Sequence, residues 1–194
     1  MGELAYNSSM VGYQEIISDP ANAGLGLLMT YPLIGSYGVM DEDSEARTSS
    51  LEALVVHEYN DMPSNFRYSK TLAEYMEENA IPGISLPDTR TITVKLCSKG
   101  TMRFLLTDAE ADSAAGLAKL LAFTPPVRCV EQISCKKRWY SRTANAQYNV
   151  LVLDCGVKLS TVRKLNELHC NVTVVPYDTP AEDILFTKCD GVVA

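Results

Sequence analysis

The chain has 194 residues, 46% of them hydrophobic and 21% charged, and a formal net charge of −7. That is the balance of a soluble globular protein with room for one large domain or two small ones, and its acidity argues against nucleic acid or an anionic membrane surface as the main partner. The longest apolar runs, such as Leu25 to Met29, fall far short of the ~20 residues that cross a bilayer, and Met1-Gly2-Glu3 lacks the basic stretch of a secretory signal.

In chain order, Leu51 to Glu58 has the β-rich apolar character of a strand, leading to a turn at Asn60-Asp61-Met62-Pro63. Thr71-Leu72-Ala73-Glu74 has the spacing of a capping box, with Leu72, Tyr75 and Met76 on one face of the helix that follows and Asn79 at its end. Ile92, Val94 and Leu96 alternate with other residues, as do Met102, Phe104 and Leu106, so two strands joined at Ser98-Lys99-Gly100 are expected. Glu110 to Ala122 reads as a helix with Leu117, Leu120 and Leu121 as its apolar stripe. Thr124-Pro125-Pro126 breaks it, and the stretch to Ala146 has no clean period.

From there the pattern changes. Val150 to Leu153 is a continuous apolar strand, Thr161 to Cys170 a helix, and Val172 to Val175 a second strand. Thr179-Pro180-Ala181-Glu182 starts another helix, with Thr179 as cap and proline in the first turn, and Gly191-Val192-Val193 opens a third strand. Strands alternating with helices call for parallel pairing. The fold class is therefore α/β: a mixed α/β N-terminal domain over 1–125, a linker over 126–147, and over 148–194 the first βα units of a doubly wound, flavodoxin-like parallel sheet.

Six cysteines, Cys97, Cys129, Cys135, Cys155, Cys170 and Cys189, are thinly spread with no C-x-x-C pair, and there are two histidines. Free thiols in a reducing compartment are expected, and no zinc site. The acidic run Asp41-Glu42-Asp43-Ser44-Glu45 and the basic run Cys135-Lys136-Lys137-Arg138 read as solvated loops. Gly24-x-Gly26 is too short for a dinucleotide fingerprint. Asp88 and Arg90, two apart in an extended segment, would form a structural ion pair. His57 reads as packed in a strand, and His169 as a partly exposed residue at a helix C terminus, where the dipole favours it.

One segment carries more information than these. Asn7, Ser9, Met10, Gly12, Tyr13, Gln14, Glu15, Asp19 and Pro20, followed by Thr30, Tyr31, Pro32, Ile34, Gly35 and Gly38, resemble residue by residue the N-terminal domain of the small (glutaminase) chain of carbamoyl phosphate synthetase. Ser64-Asn65-Phe66-Arg67, Asp88-Thr89-Arg90, Asp154-Cys155-Gly156-Val157-Lys158 with Val162-Arg163, and Val174-Val175-Pro176-Tyr177-Asp178 are similar to later segments of that family. Agreement is weakest between Asp108 and Tyr148.

The resemblance implies a component of an enzyme that hydrolyses glutamine to glutamate and ammonia in a class I amidotransferase domain. The ammonia passes to a large chain, which uses ATP and Mg to make carbamoyl phosphate for pyrimidine and arginine biosynthesis in the cytoplasm. It also implies that this chain holds the N-terminal domain and only the opening of the amidotransferase domain. The nucleophile of that class sits in a G-x-C-x-G turn, assisted by histidine and glutamate. None of the six cysteines has glycine on both sides, so no catalytic residue is assigned, and Cys155 is read as structural. The one glutamine-contacting position the resemblance places here, a serine after Asp-Pro, is Ala21, where the hydroxyl is lost. The expected partners are the large chain and, in the full-length family, glutamine, with no metal, cofactor, nucleic acid or membrane. The alternative is a non-enzymatic docking or regulatory module derived from the family.

Overall fold

The computed structural model describes residues 1–108, 114–125 and 129–194, which fall into two units, Met1–Val127 and Arg128–Ala194. The first runs β1 (Gly2–Asn7), α1 (Tyr13–Ile17), β2 (Leu25–Met29), β3 (Leu33–Ile34), β4 (Ala53–Val55), β5 (Glu58–Tyr59), α2 (Leu72–Glu78), β6 (Gly83–Ile84), α3 (Thr89–Lys99), β7 (Met102–Phe104) and α4 (Ala114–Ala122). Its main sheet has the order β6-β4-β2-β1-β7. β1, β2, β4 and β6 are parallel, and β7 closes the edge antiparallel to β1. β3 and β5 form a small parallel pair of their own.

Strand alternation fills both faces of that sheet. Leu27, Met29, Leu54 and Val56 point to one side and pack with Tyr13 and Ile17 of α1 and Leu72 and Tyr75 of α2. Leu28 and Val55 point to the other, where Leu4, Leu96, Ile92 and Phe104 meet them. Gly26 is explained by the second face: a Cβ there would lie 2.3 Å from the Phe104 ring. The capping box expected at Thr71 is present, with Glu74 N–H donating to Thr71 Oγ1 and the Glu74 carboxylate accepting from Thr71 N–H.

The strand expected through Ile92, Val94 and Leu96 is instead α3. Asp88 caps it by accepting from the Thr91 amide at 2.9 Å, and Gly100, at φ +81, ends it where two strands had been expected to join. Ile92 and Leu96 are neighbours in either period, two apart twice over in a strand or i and i+4 in a helix. Val94 separates the two patterns, and at 62% exposed it lies off the packed face. Glu110 to Ser113 of the next expected helix lie outside the described residues. In α4 itself, Leu117 and Leu121 are exposed rather than packed. The expected strand over Leu51 to Glu58 is two short ones, β4 and β5.

A hydrogen-bonded tie joins α1 to the loop after β3. α1 has five residues, and its N-cap is Gly12, which has no side chain to offer. The Tyr37 hydroxyl takes that part by accepting from the Gly12 amide at 2.8 Å and the Tyr13 amide at 2.9 Å. Tyr13 donates to the Gly38 carbonyl at 2.6 Å, and the two tyrosine rings stack with centroids 4.1 Å apart. Gln14, almost wholly buried, accepts from the Met40 amide and donates to the Met40 carbonyl and to Ser44 Oγ. Gly35 and Gly38 let the loop come this close. Both have positive φ, and a Cβ on Gly35 would sit 2.3 Å from the Asn60 carbonyl oxygen.

The second unit runs α5 (Val130–Ile133), β8 (Trp139–Ser141), β9 (Tyr148–Asp154), α6 (Leu159–Glu167), β10 (Cys170–Pro176), α7 (Ala181–Phe186) and β11 (Gly191–Val193). The sheet order is β11-β9-β10-β8, with β9, β10 and β11 parallel as expected. Val152, Val162, Val172 and Val174 form its core, with Trp139 against them. Of the linker expected over 126–147, residues 126–128 lie outside the described residues, and the rest is not a plain linker. Trp139, Tyr140 and Ser141 pair antiparallel with Val174, Thr173 and Val172, so the segment supplies an edge strand. Such a short strand has no period of its own, and its pairing partner lies some thirty residues on. α7 starts one residue later than expected: Pro180 is its N-cap, and Thr179 donates to the Pro176 carbonyl instead of capping.

Tyr37→Phe keeps the ring stack but leaves the Gly12 and Tyr13 amides without their acceptor, and should cost about 1–3 kcal/mol in urea unfolding followed by far-UV circular dichroism; an unchanged midpoint would contradict the tie. Burial raises the Tyr13 and Tyr37 hydroxyls above their ordinary value. The folded state then holds protons that the unfolded chain loses near pH 10, so stability should be flat below about pH 9 and fall as the pH climbs past about 10. In the second unit, the Asp154 carboxylate accepts from the amides of Cys135, Gly156 and Val157 at 2.8, 3.1 and 3.0 Å. Asp154→Ala should therefore lose about 1.5–3 kcal/mol by fluorescence of Trp139, the only tryptophan, and Asp154→Asn should lose less because it keeps one acceptor.

Candidate functional site

Two places combine polar side chains with the C-terminal ends of parallel strands, where α/β folds gather ligands. The first is the mouth of the main sheet in the first unit. Ser8 follows β1, Thr30 and Pro32 follow β2, and His57 follows β4. The opening of α3 supplies Asp88, Thr89, Arg90, Thr93 and Val94. Together they line a cleft of about 530 Å³.

His57 was expected to be packed in a strand, and it is not. Its ring is exposed, with Nδ1 3.2 Å from the Pro87 carbonyl oxygen. The expected Asp88–Arg90 ion pair is also replaced. The segment is a helix start rather than an extended strand, and Asp88 directs both carboxylate oxygens to Thr91, at 2.9 Å to the amide and 2.6 Å to the hydroxyl. Those hydrogen bonds hold the Asp88 carboxyl below its usual range. Reading Asp-Thr-Arg-Thr as an N-cap followed by a first turn would have located this wall of the cleft from the sequence.

The second place is the end of β9, Asp154-Cys155-Gly156-Val157-Lys158. Asp154 is buried and fully engaged with three backbone amides, so its carboxylate is a structural fastener. Cys155 beside it is an exposed free thiol, and Lys158 occupies the N-cap of α6. His169 lies past the end of α6 in the left-handed region at φ +59, its amide donating to the Asn166 carbonyl. No cysteine among the described residues forms a disulfide. Among the described residues no three histidine, cysteine or acidic side chains gather as a metal site, and no helix is long and apolar enough to cross a membrane.

Ala21 lies in the turn Pro20–Asn22 that follows α1, with its amide donating to Asp19 Oδ1 at 2.9 Å. Its methyl group is exposed. The acidic run begins with a turn at Asp41–Asp43. Glu42 pairs with Arg67 at 3.0 Å, a surface contact worth little. Ser44 takes its hydrogen bond from Gln14. The residues of the segment Asn7 to Gly38 thus divide: Tyr13, Gln14, Gly35, Tyr37 and Gly38 build the tie, and Asp19 to Ala21 form a turn in which Pro20 is buried and Ala21 exposed.

Residues 1–106 match the family model described as the carbamoyl-phosphate synthase small chain, CPSase domain. Small chains of carbamoyl phosphate synthase from Staphylococcus saprophyticus, Listeria innocua and Fusobacterium nucleatum are 43%, 41% and 40% identical to it over 193 residues. Each alignment takes in the whole of this chain and 52% or 53% of the relative, so the chain spans about half the length of the curated relatives it matches. The chain belongs to the carbamoyl-phosphate synthase small-chain family.

Proposed function

We propose that this chain serves as part of the small-chain component of a glutamine-hydrolysing carbamoyl phosphate synthetase in the cytoplasm. In that enzyme glutamine is split to glutamate and ammonia, and a large chain turns the ammonia into carbamoyl phosphate for pyrimidine and arginine biosynthesis. The observation that carries this reading is the match to small chains at about two identical residues in five along the whole sequence. ATP and Mg belong to the large chain's chemistry.

The part played by these 194 residues is docking and framing rather than hydrolysis. No cysteine among them stands in a G-x-C-x-G turn, and Cys155 sits between a fully engaged aspartate and Gly156. A methyl group at Ala21 can neither donate to glutamine nor accept from it, which removes a hydrogen bond worth about 0.5–1.5 kcal/mol. A docking or regulatory module is the second reading, and it is favoured by a first unit that is packed on both sheet faces and tied without help from any nucleophile.

The two readings share one prediction and differ in another. Incubated with glutamine, the chain should release ammonia no faster than buffer, and turnover abolished by Cys155→Ser would overturn the non-hydrolytic assignment. Mixed with a large chain from one of the relatives, it should co-elute in size-exclusion chromatography; failure to co-elute would count against both. A bound chain that changes the large chain's rate with free ammonia is acting as a regulator, and one that leaves that rate unchanged is acting as a component.

A further inference from the structure

The cleft at the mouth of the first sheet is left unexplained by the small-chain reading. Its helix wall offers little through the backbone. The Thr89 amide donates to the Pro87 carbonyl and the Thr91 amide to Asp88, so the first-turn donors are engaged. Side chains are what remain available.

Thr89 is 5% exposed, and its hydroxyl makes no hydrogen bond among the described residues. Tyr75 Oη is the one side-chain polar atom among them that is sealed from solvent without a partner. The Thr89 hydroxyl therefore keeps an opening, and the cleft is the space that Thr89 lines. A nearly buried hydroxyl with that one opening can bond only what enters the cleft, water or a ligand. Arg90 lines the same space, and its guanidinium has neither an ion-pair nor a hydrogen-bond partner among the described residues. His57, holding the Pro87 carbonyl through Nδ1, keeps Nε2 open.

We propose that this cleft binds a small molecule through a monoanionic carboxylate seated against Arg90 and the Thr89 hydroxyl. A guanidinium fork fits a carboxylate or a phosphate equally well. Asp88 decides between them, because it lines the same wall and stays ionised at neutral pH. A phosphate dianion would meet that charge at close range, whereas a carboxylate brings half of the repulsion. A carboxylate that also carries an ammonium group can turn that group toward Asp88 and gain from it.

The test is a titration of the 15N-labelled 194-residue chain with sodium acetate, glycine and inorganic phosphate in turn, at constant ionic strength. Saturable shifts of the Thr89 and Arg90 amides with acetate are expected. Arg90→Gln, a change on an exposed side chain outside the core, should weaken them about tenfold or more, the scale of a lost charge-assisted bond. Thr89→Val should weaken binding and Thr89→Ser should retain it. Tighter binding of glycine than of acetate would support Asp88 as the ammonium partner. Shifts that never saturate, or that survive Arg90→Gln unchanged, would overturn the site, and phosphate binding more tightly than acetate would overturn the carboxylate assignment. None of these outcomes depends on a large chain, so the site can fail while the small-chain reading stands.

Discussion

The first unit depends on one phenol oxygen. α1 is five residues long, far below the length at which an isolated helix holds in water, and its glycine N-cap cannot satisfy the exposed amides of the first turn. Tyr37, more than twenty residues on, supplies the acceptor. Its loop is fixed in turn by Tyr13 to Gly38 and by the Gln14 amide against the Met40 backbone. The helix and the loop each lack something local that the other provides. That mutual dependence sets α1 on the β2 and β4 side chains.

Much of this architecture was legible because it is written locally. The capping box at Thr71 and Glu74 needs only four residues, and the βα units after Tyr148 announce themselves by apolar strands of ordinary length. What was not legible depends on partners distant in sequence. Trp139 to Ser141 becomes a strand because Val172 to Val174 offers an open edge. Ile92 and Leu96 fit a strand or a helix equally well, and the choice falls to Asp88, whose carboxylate finds the Thr91 amide only once the chain has turned. His57 follows the buried Val56 and turns its ring to the Pro87 carbonyl, thirty residues on in sequence.

The same division runs through the candidate sites. The segment that identifies the family is, in its tyrosines, glutamine and glycines, a device for folding. Its one position with an expected substrate contact, Ala21, has become an exposed methyl group in a turn. Family signatures of this kind report which scaffold is present. The chemistry has to be argued separately, from groups whose hydrogen bonds or charges are left unspent.

On that criterion the two strand-end sites part company. Both present an aspartate beside a helix start at the C-terminal end of a parallel strand. In the second unit Asp154 draws in the amides of Gly156, Val157 and Cys135. Those donors could otherwise have met an anion, and the crevice is closed by the protein's own carboxylate. In the first unit Asp88 likewise satisfies the helix it caps, but the residues next to it, Thr89 and Arg90, are left with a buried hydroxyl and a guanidinium that nothing described in the fold engages. A fold that spends its polar groups so fully around Tyr37 and Asp154 makes the exception at Thr89 and Arg90 informative. The charge of Asp88 then limits what can fill it to ligands carrying a single negative charge on the side that meets Arg90.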